Sequence, residues 1–69
     1  MAANEYSVTG MTCGHCEMSV REEVGEVAGV TGVQVSAQTG RLVVSGDREI
    51  DDAAIVAAVE EAGYRAARV

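Results

Sequence analysis

Cys13 and Cys16, with His15 between them, are the residues of this chain best suited to chemistry, and they are its only cysteines and its only histidine. Two thiols three positions apart can turn toward one point. They can then grip one soft metal ion or close into a small disulfide. They lie in Met11-Thr12-Cys13-Gly14-His15-Cys16, between a short alternating segment and an amphipathic one. A helix with Cys16 in its first turn would present unpaired N–H groups and a partial positive charge to the sulfurs. Both favour thiolate over thiol. Gly14 lets the loop fold tightly enough for the sulfurs to converge. Two thiolates on a monovalent ion leave one net negative charge, which the same helix end stabilises.

Donor counting separates the chemistries open to such a pair. A structural zinc site needs four Cys or His ligands, and this chain offers three candidates in all. Covalent haem attachment needs histidine directly after the second cysteine. Glu17 holds that place, and His15 precedes Cys16. A disulfide between the two would close a tiny loop and remove little chain entropy, so it is no staple for the fold. A thiol–disulfide oxidoreductase also carries Cys-x-x-Cys at a helix start. The chain contains no proline, so it cannot supply the cis-proline found beside such redox centres. Soft thiolates with no other evident ligand suit a two-coordinate ion, and Cu(I), Ag(I) and Hg(II) all fit. Zn(II) and Cd(II) would need further ligands from water or a partner.

The elements that must hold the motif can be read from periodicity. Asn4 to Thr9 alternates, with Tyr6 and Val8 on one face, which predicts a short strand broken at Gly10. Cys16, Val20, Val24 and Val27 recur at helical spacing, with Glu17, Arg21, Glu22 and Glu26 elsewhere. This predicts an amphipathic helix from about Gly14 or His15 to Val27, weakened at Gly25 and ended by Gly29. Val30, Val33 and Val35 lead into a second strand. Gln38-Thr39-Gly40 is a turn, and Leu42 and Val44 alternate on a third strand, so the two strands form a hairpin. Asp51 is the N-cap of a second helix, and Asp52 adds favourable charge to its first turn. Ile55, Ala58, Val59 and Ala62 form its inner stripe, Gly63 is its C′ residue, and Tyr64 to Val69 closes as a strand. The order βαββαβ predicts an α+β, ferredoxin-like sandwich with two helices on one face of a four-stranded antiparallel sheet.

Size and charge bound the rest. Sixty-nine residues make one small domain, 1–69, and such a chain buries only about 60% of its unfolded surface. Its apolar residues, 48% of the chain, are nearly all Val and Ala, with one Leu and no Phe or Trp, so the core is thin and aliphatic. Eleven Asp and Glu against five Arg give a net charge of −6. That argues against nucleic acid or an anionic membrane surface as partner. The stretch Glu22-Glu23-Val24-Gly25-Glu26 reads as a solvated helix face or as a docking surface for a positively charged patch. The N-terminus has no basic region followed by an apolar run, and nothing approaches the ~20 residues of a membrane span. A cytoplasmic location is expected, where cysteines stay reduced. The start at Met1 and the stop at Val69 make a free-standing protein the expectation.

Gly10-Met11-Thr12-Cys13-Gly14-His15-Cys16 closely resembles the Met-x-Cys-x-x-Cys signature of the heavy-metal-associated domain. Glu61-Ala62-Gly63-Tyr64 resembles the helix-to-strand junction of the bacterial copper chaperones in that family. The resemblance covers almost the whole chain in motif position, element order and length. It implies a non-enzymatic Cu(I) carrier, for which Ag(I) or Hg(II) could substitute. The ion passes by thiolate exchange to a copper-transporting P-type ATPase, at its metal-binding domain or entry site. By motif match Cys13 and Cys16 are the ligands, and Tyr64 is the family's loop residue close to the metal. Members can also dimerise around copper, which implies a copper-bridged homodimer. Apolar character and resemblance make Met11 a core anchor under the loop rather than a third sulfur ligand. His15 points about 100° around the helix from Cys16. It therefore reads as a neighbour tuning the thiolates, with a ligand role in the bridged dimer. A regulatory metal-binding domain of such a transporter is the alternative reading, and the oxidoreductase is the remoter one.

Overall fold

The computed structural model describes residues 2–11 and 14–69; Met1, Thr12 and Cys13 lie outside the described residues. Six elements follow in order: β1 (Ala2–Thr9), α1 (Gly14–Gly25), β2 (Val30–Ser36), β3 (Arg41–Gly46), α2 (Asp52–Glu61) and β4 (Arg65–Arg68). The strands form one sheet in the order β2-β3-β1-β4, antiparallel throughout. This is the ferredoxin-like βαββαβ arrangement, and the sequence periods foresaw it.

The two periods meet in a single core. Tyr6 and Val8 of β1 and Leu42 and Val44 of β3 project from one face of the sheet. Cys16, Val20 and Val24 of α1 and Ile55, Ala58 and Val59 of α2 cover them, with Met11 and Ile50 filling in from the connections. The valines of edge strand β2 and Val27 are only partly buried against this cluster.

α1 ends at Gly25, two residues before the expected Val27. Its last bonds tighten to i→i−3, from the N–H groups of Glu26 and Val27 to the carbonyls of Glu23 and Val24. Gly25 is exposed and would meet no neighbour even with a Cβ, so no packing holds the helix past it. α2 is capped at both ends. The Asp51 side chain accepts a hydrogen bond from the Ala53 N–H at 3.0 Å. Gly63, at φ +95°, lets the Tyr64 N–H reach the Val59 carbonyl at 3.1 Å and its own N–H reach Glu60 at 2.9 Å. These are the two bonds of a Schellman motif, and they set the direction in which β4 leaves.

A polar latch ties β1, α2 and β4 together, and sequence reading gave no sign of it. The hydroxyl of fully buried Tyr6 donates to Asp52 Oδ1 at 2.6 Å. Asn4 Nδ2 donates to the same carboxylate at 3.1 Å, and Arg68 grips both its oxygens at 2.7 and 2.8 Å. Arg68 also lies 5.7 Å from the centroid of the Tyr6 ring. Asp52 therefore does more than add charge to the first turn of α2.

Register fixes what lies at each end of the molecule. Thr9 pairs with Arg65 and Ser7 with Arg41. The end of β1, the start of α1, the β2–β3 turn and the α2–β4 junction therefore share one end. The cysteine segment lies between the first two of these.

Candidate metal centre

Cys16 sits in the first turn of α1 and is only 6% exposed, inside the apolar core. The helix-start thiol is therefore packed as well as reactive in type. The reason lies in the periodicity itself. Cys16 begins the Cys16–Val20–Val24 stripe, and the stripe that seats α1 on the sheet carries its first member inward. A thiol so placed is a core side chain as well as a donor. Cys13, the other expected ligand, lies outside the described residues.

The remaining expected site residues fall into two groups. Met11 lies in the core, and Tyr64 lies beside Gly10. Met11 is 8% exposed and part of the core. Tyr64 packs against that core, and a Cβ added to Gly10 would lie 3.4 Å from Tyr64 Cδ1. Its ring therefore rests on the start of the cysteine loop. His15 is exposed and belongs to the solvent side of α1, as does Met18, which is 59% exposed one helical turn further on. Gly14 opens α1.

One neighbour was missed. Glu17, assigned from sequence to the outer helix face, reaches the β2–β3 turn: its Oε2 accepts from the Ala37 N–H at 2.6 Å. Its place beside Cys16 in a helix's first turn was legible, but its cross-chain partner was not. Among the described residues no group of three or more His, Cys, Asp or Glu is poised to hold a metal ion. The described donors thus give one buried thiol at a helix start, on a core that fixes its position. Chemically this is a single soft donor.

The heavy-metal-associated domain matches residues 5–65. The chain belongs to the heavy-metal-associated domain family. Over 63 residues it is 38% identical to copper chaperone CopZ of Enterococcus hirae, covering 90% of this chain and 91% of that protein. With CopZ of Bacillus subtilis it shares 36% identity over 69 residues, 99% of this chain and 100% of that one. A solved structure from work on crosstalk between Cu(I) and Zn(II) homeostasis superposes with a TM-score of 0.93 at 30% identity, covering 100% of both chains. Other matches lie inside P-type ATPases that transport copper, or zinc, cadmium and lead; the aligned segment is 8% of each transporter. The domain is thus like both whole carriers and small parts of pumps. The family is a metal-associated one, and it lends the oxidoreductase alternative no support. No helix among the described residues is long and apolar enough to cross a membrane.

Proposed function

We propose that residues 1–69 form one heavy-metal-associated domain that carries Cu(I) in the cytoplasm and delivers it to a copper-transporting P-type ATPase. Cys13 and Cys16 are the ligands. The observation that carries this reading is the position of Cys16, a thiol in the first turn of α1, in a Cys-x-x-Cys spacing with Cys13. The end-to-end match with proteins named copper chaperones supports copper as the cargo. Ag(I) and Hg(II), being soft and content with two thiolates, would substitute.

The chemistry requires little beyond those two sulfurs. The partial positive charge of the α1 N-terminus favours both thiolates and their singly negative complex with a monovalent ion. Burial of Cys16 among apolar residues holds one ligand in place. A thiolate of the acceptor attacks the bound ion and forms a three-coordinate bridge. One of this chain's sulfurs then leaves, and the ion crosses without being set free. The protein breaks no covalent bond in a substrate and turns nothing over. The exposed Glu22 and Glu26 on α1 suit a positively charged docking patch, which speeds and orients encounter more than it tightens binding. His15, on the solvent side, serves as a ligand only where a second copy shares the copper.

Anaerobic titration with Cu(I), Zn(II) and Hg(II), followed by native mass spectrometry, is the direct test. Tight Cu(I) binding that falls by orders of magnitude in Cys13→Ser and in Cys16→Ser supports the reading, and undiminished binding by both variants overturns it. Stopped-flow transfer to an acceptor domain tests the exchange step. Its rate should rise with acceptor concentration; a rate fixed at that of spontaneous dissociation refutes direct handover. The second reading, a metal-binding domain of a transporter, is favoured by the matches inside P-type ATPases. The natural reading frame decides between the two.

A further inference from the structure

The β2–β3 turn grips both flanks of the cysteine segment. On one flank the Glu17 carboxylate, next in sequence to Cys16, accepts from the Ala37 N–H at 2.6 Å. On the other, the Val8 N–H at the end of β1 donates to the Gly40 carbonyl at 2.7 Å. The turn between these contacts is itself tied. The Gly40 N–H reaches the Ser36 carbonyl at 2.9 Å, and the Thr39 N–H reaches Ser36 Oγ at 3.4 Å. It also lies close on β1: a Cβ at Gly40, which sits at φ +71°, would approach the Val8 carbonyl oxygen to 3.0 Å. One short turn therefore holds the chain at residue 8 and at residue 17, on either side of the cysteine motif.

We infer that this turn is a brace for the start of α1 and that Glu17 is the positioning residue that couples it to Cys16. The inference rests on the metal-binding reading above, but its first consequence is independent of metal. The leading N–H groups of a helix have no intrahelical partner, so its first turn frays unless something outside holds it. Here burial of Cys16 in the core is one outside hold, and the other is the Ala37–Glu17 hydrogen bond to a carboxylate, which is stronger than a neutral one. When the second hold is lost, part of the population has Cys16 out of place. Apparent affinity for the ion then falls in proportion to the fraction still competent. Glu17 also has an opposite effect: its negative charge stands beside a site that becomes negative on loading.

Three substitutions separate reach from charge. Glu17→Gln keeps an acceptor oxygen at the same reach and removes the charge. Glu17→Asp keeps the charge and shortens the reach. Glu17→Ala loses both. Glu17 is half-buried and outside the core cluster, so all three should fold, which circular dichroism checks. The first readout is amide hydrogen exchange in the metal-free protein. Exchange at the Ala37 N–H and at the second-turn N–H groups of α1, which bond the first-turn carbonyls, should quicken about tenfold in the Asp and Ala variants and stay near wild type in Gln. The second is Cu(I) affinity by chelator competition. Gln should bind as tightly as wild type or more tightly, with Asp and Ala about tenfold weaker than Gln. Exchange rates and affinities within twofold of one another across the three variants overturn the brace. A failure of the wild type to bind Cu(I) overturns the metal reading instead, and the exchange result still tests the brace.

Discussion

The latch at Asp52 yields the most quantitative expectation, through Tyr6→Phe. The substitution keeps the buried ring and deletes one hydroxyl. That hydroxyl donates to Asp52 Oδ1 at 2.6 Å and accepts from Asn4 Nδ2 at 3.2 Å. Asn4 retains its own bond to Asp52 at 3.1 Å, so no buried donor is orphaned, and the loss is that of one net hydrogen bond, about 1 kcal/mol. In a domain of this size that corresponds to a fall in Tm of roughly 4–8 °C. The pH dependence identifies the latch. The Asp52 carboxyl is held below its ordinary value of 3.8, chiefly by the Tyr6 hydroxyl, with Arg68 helping and desolvation opposing. A depressed pKa contributes stability that is present above the unfolded value and is lost as pH falls through the folded one. Burial, and then the bond to Asp52, hold the Tyr6 hydroxyl above its ordinary value of 10.0. That contribution is present below 10.0 and is lost as pH rises through the folded value. Thermal melts of both proteins, followed by circular dichroism across pH, should therefore show a steady Tm gap near neutrality that narrows at both extremes. A neutral-pH gap under about 2 °C, or one unchanged far into acid, would refute the reasoning.

Other consequences are simpler to measure. Cys16→Ser should cost the metal-free protein about 1–3 kcal/mol, because a smaller and more polar side chain then replaces a sulfur that is packed in the core; a chemical-denaturation curve equal to wild type would show that Cys16 does not pack. Gly46→Ala should be destabilising by about 1–3 kcal/mol. The new methyl would lie 2.6 Å from the Gly29 carbonyl oxygen and 2.9 Å from Ile50 Cδ1, and a backbone oxygen cannot rotate away. An unchanged Tm would mean that the loop before β2 yields more easily than its geometry implies.

The sequence by itself determined the order of elements and the place of the chemistry. Hydrophobic period is a local property, so Tyr6 and Val8, Cys16 to Val24, Leu42 and Val44, and Ile55 to Val59 announced strands and helices without reference to one another. Asp51 and Gly63 marked the ends of α2 for equally local reasons, a side chain that bonds a free N–H and a residue that tolerates positive φ. The Met11–Cys16 motif, uniquely rich in donors, pointed to soft-metal binding before any fold was known. Only the tertiary structure decided what each polar residue does. Asp52 and Glu17 look alike on paper, as acids in the first turns of helices. One bonds residues 46 and 16 positions away, and the other bonds a turn 20 positions away. Burial of Cys16 was implicit in its stripe, yet it became a fact only when the sheet closed beneath it. Contacts between residues distant in the chain depend on how whole elements are oriented against each other. No local pattern of residue types encodes that orientation.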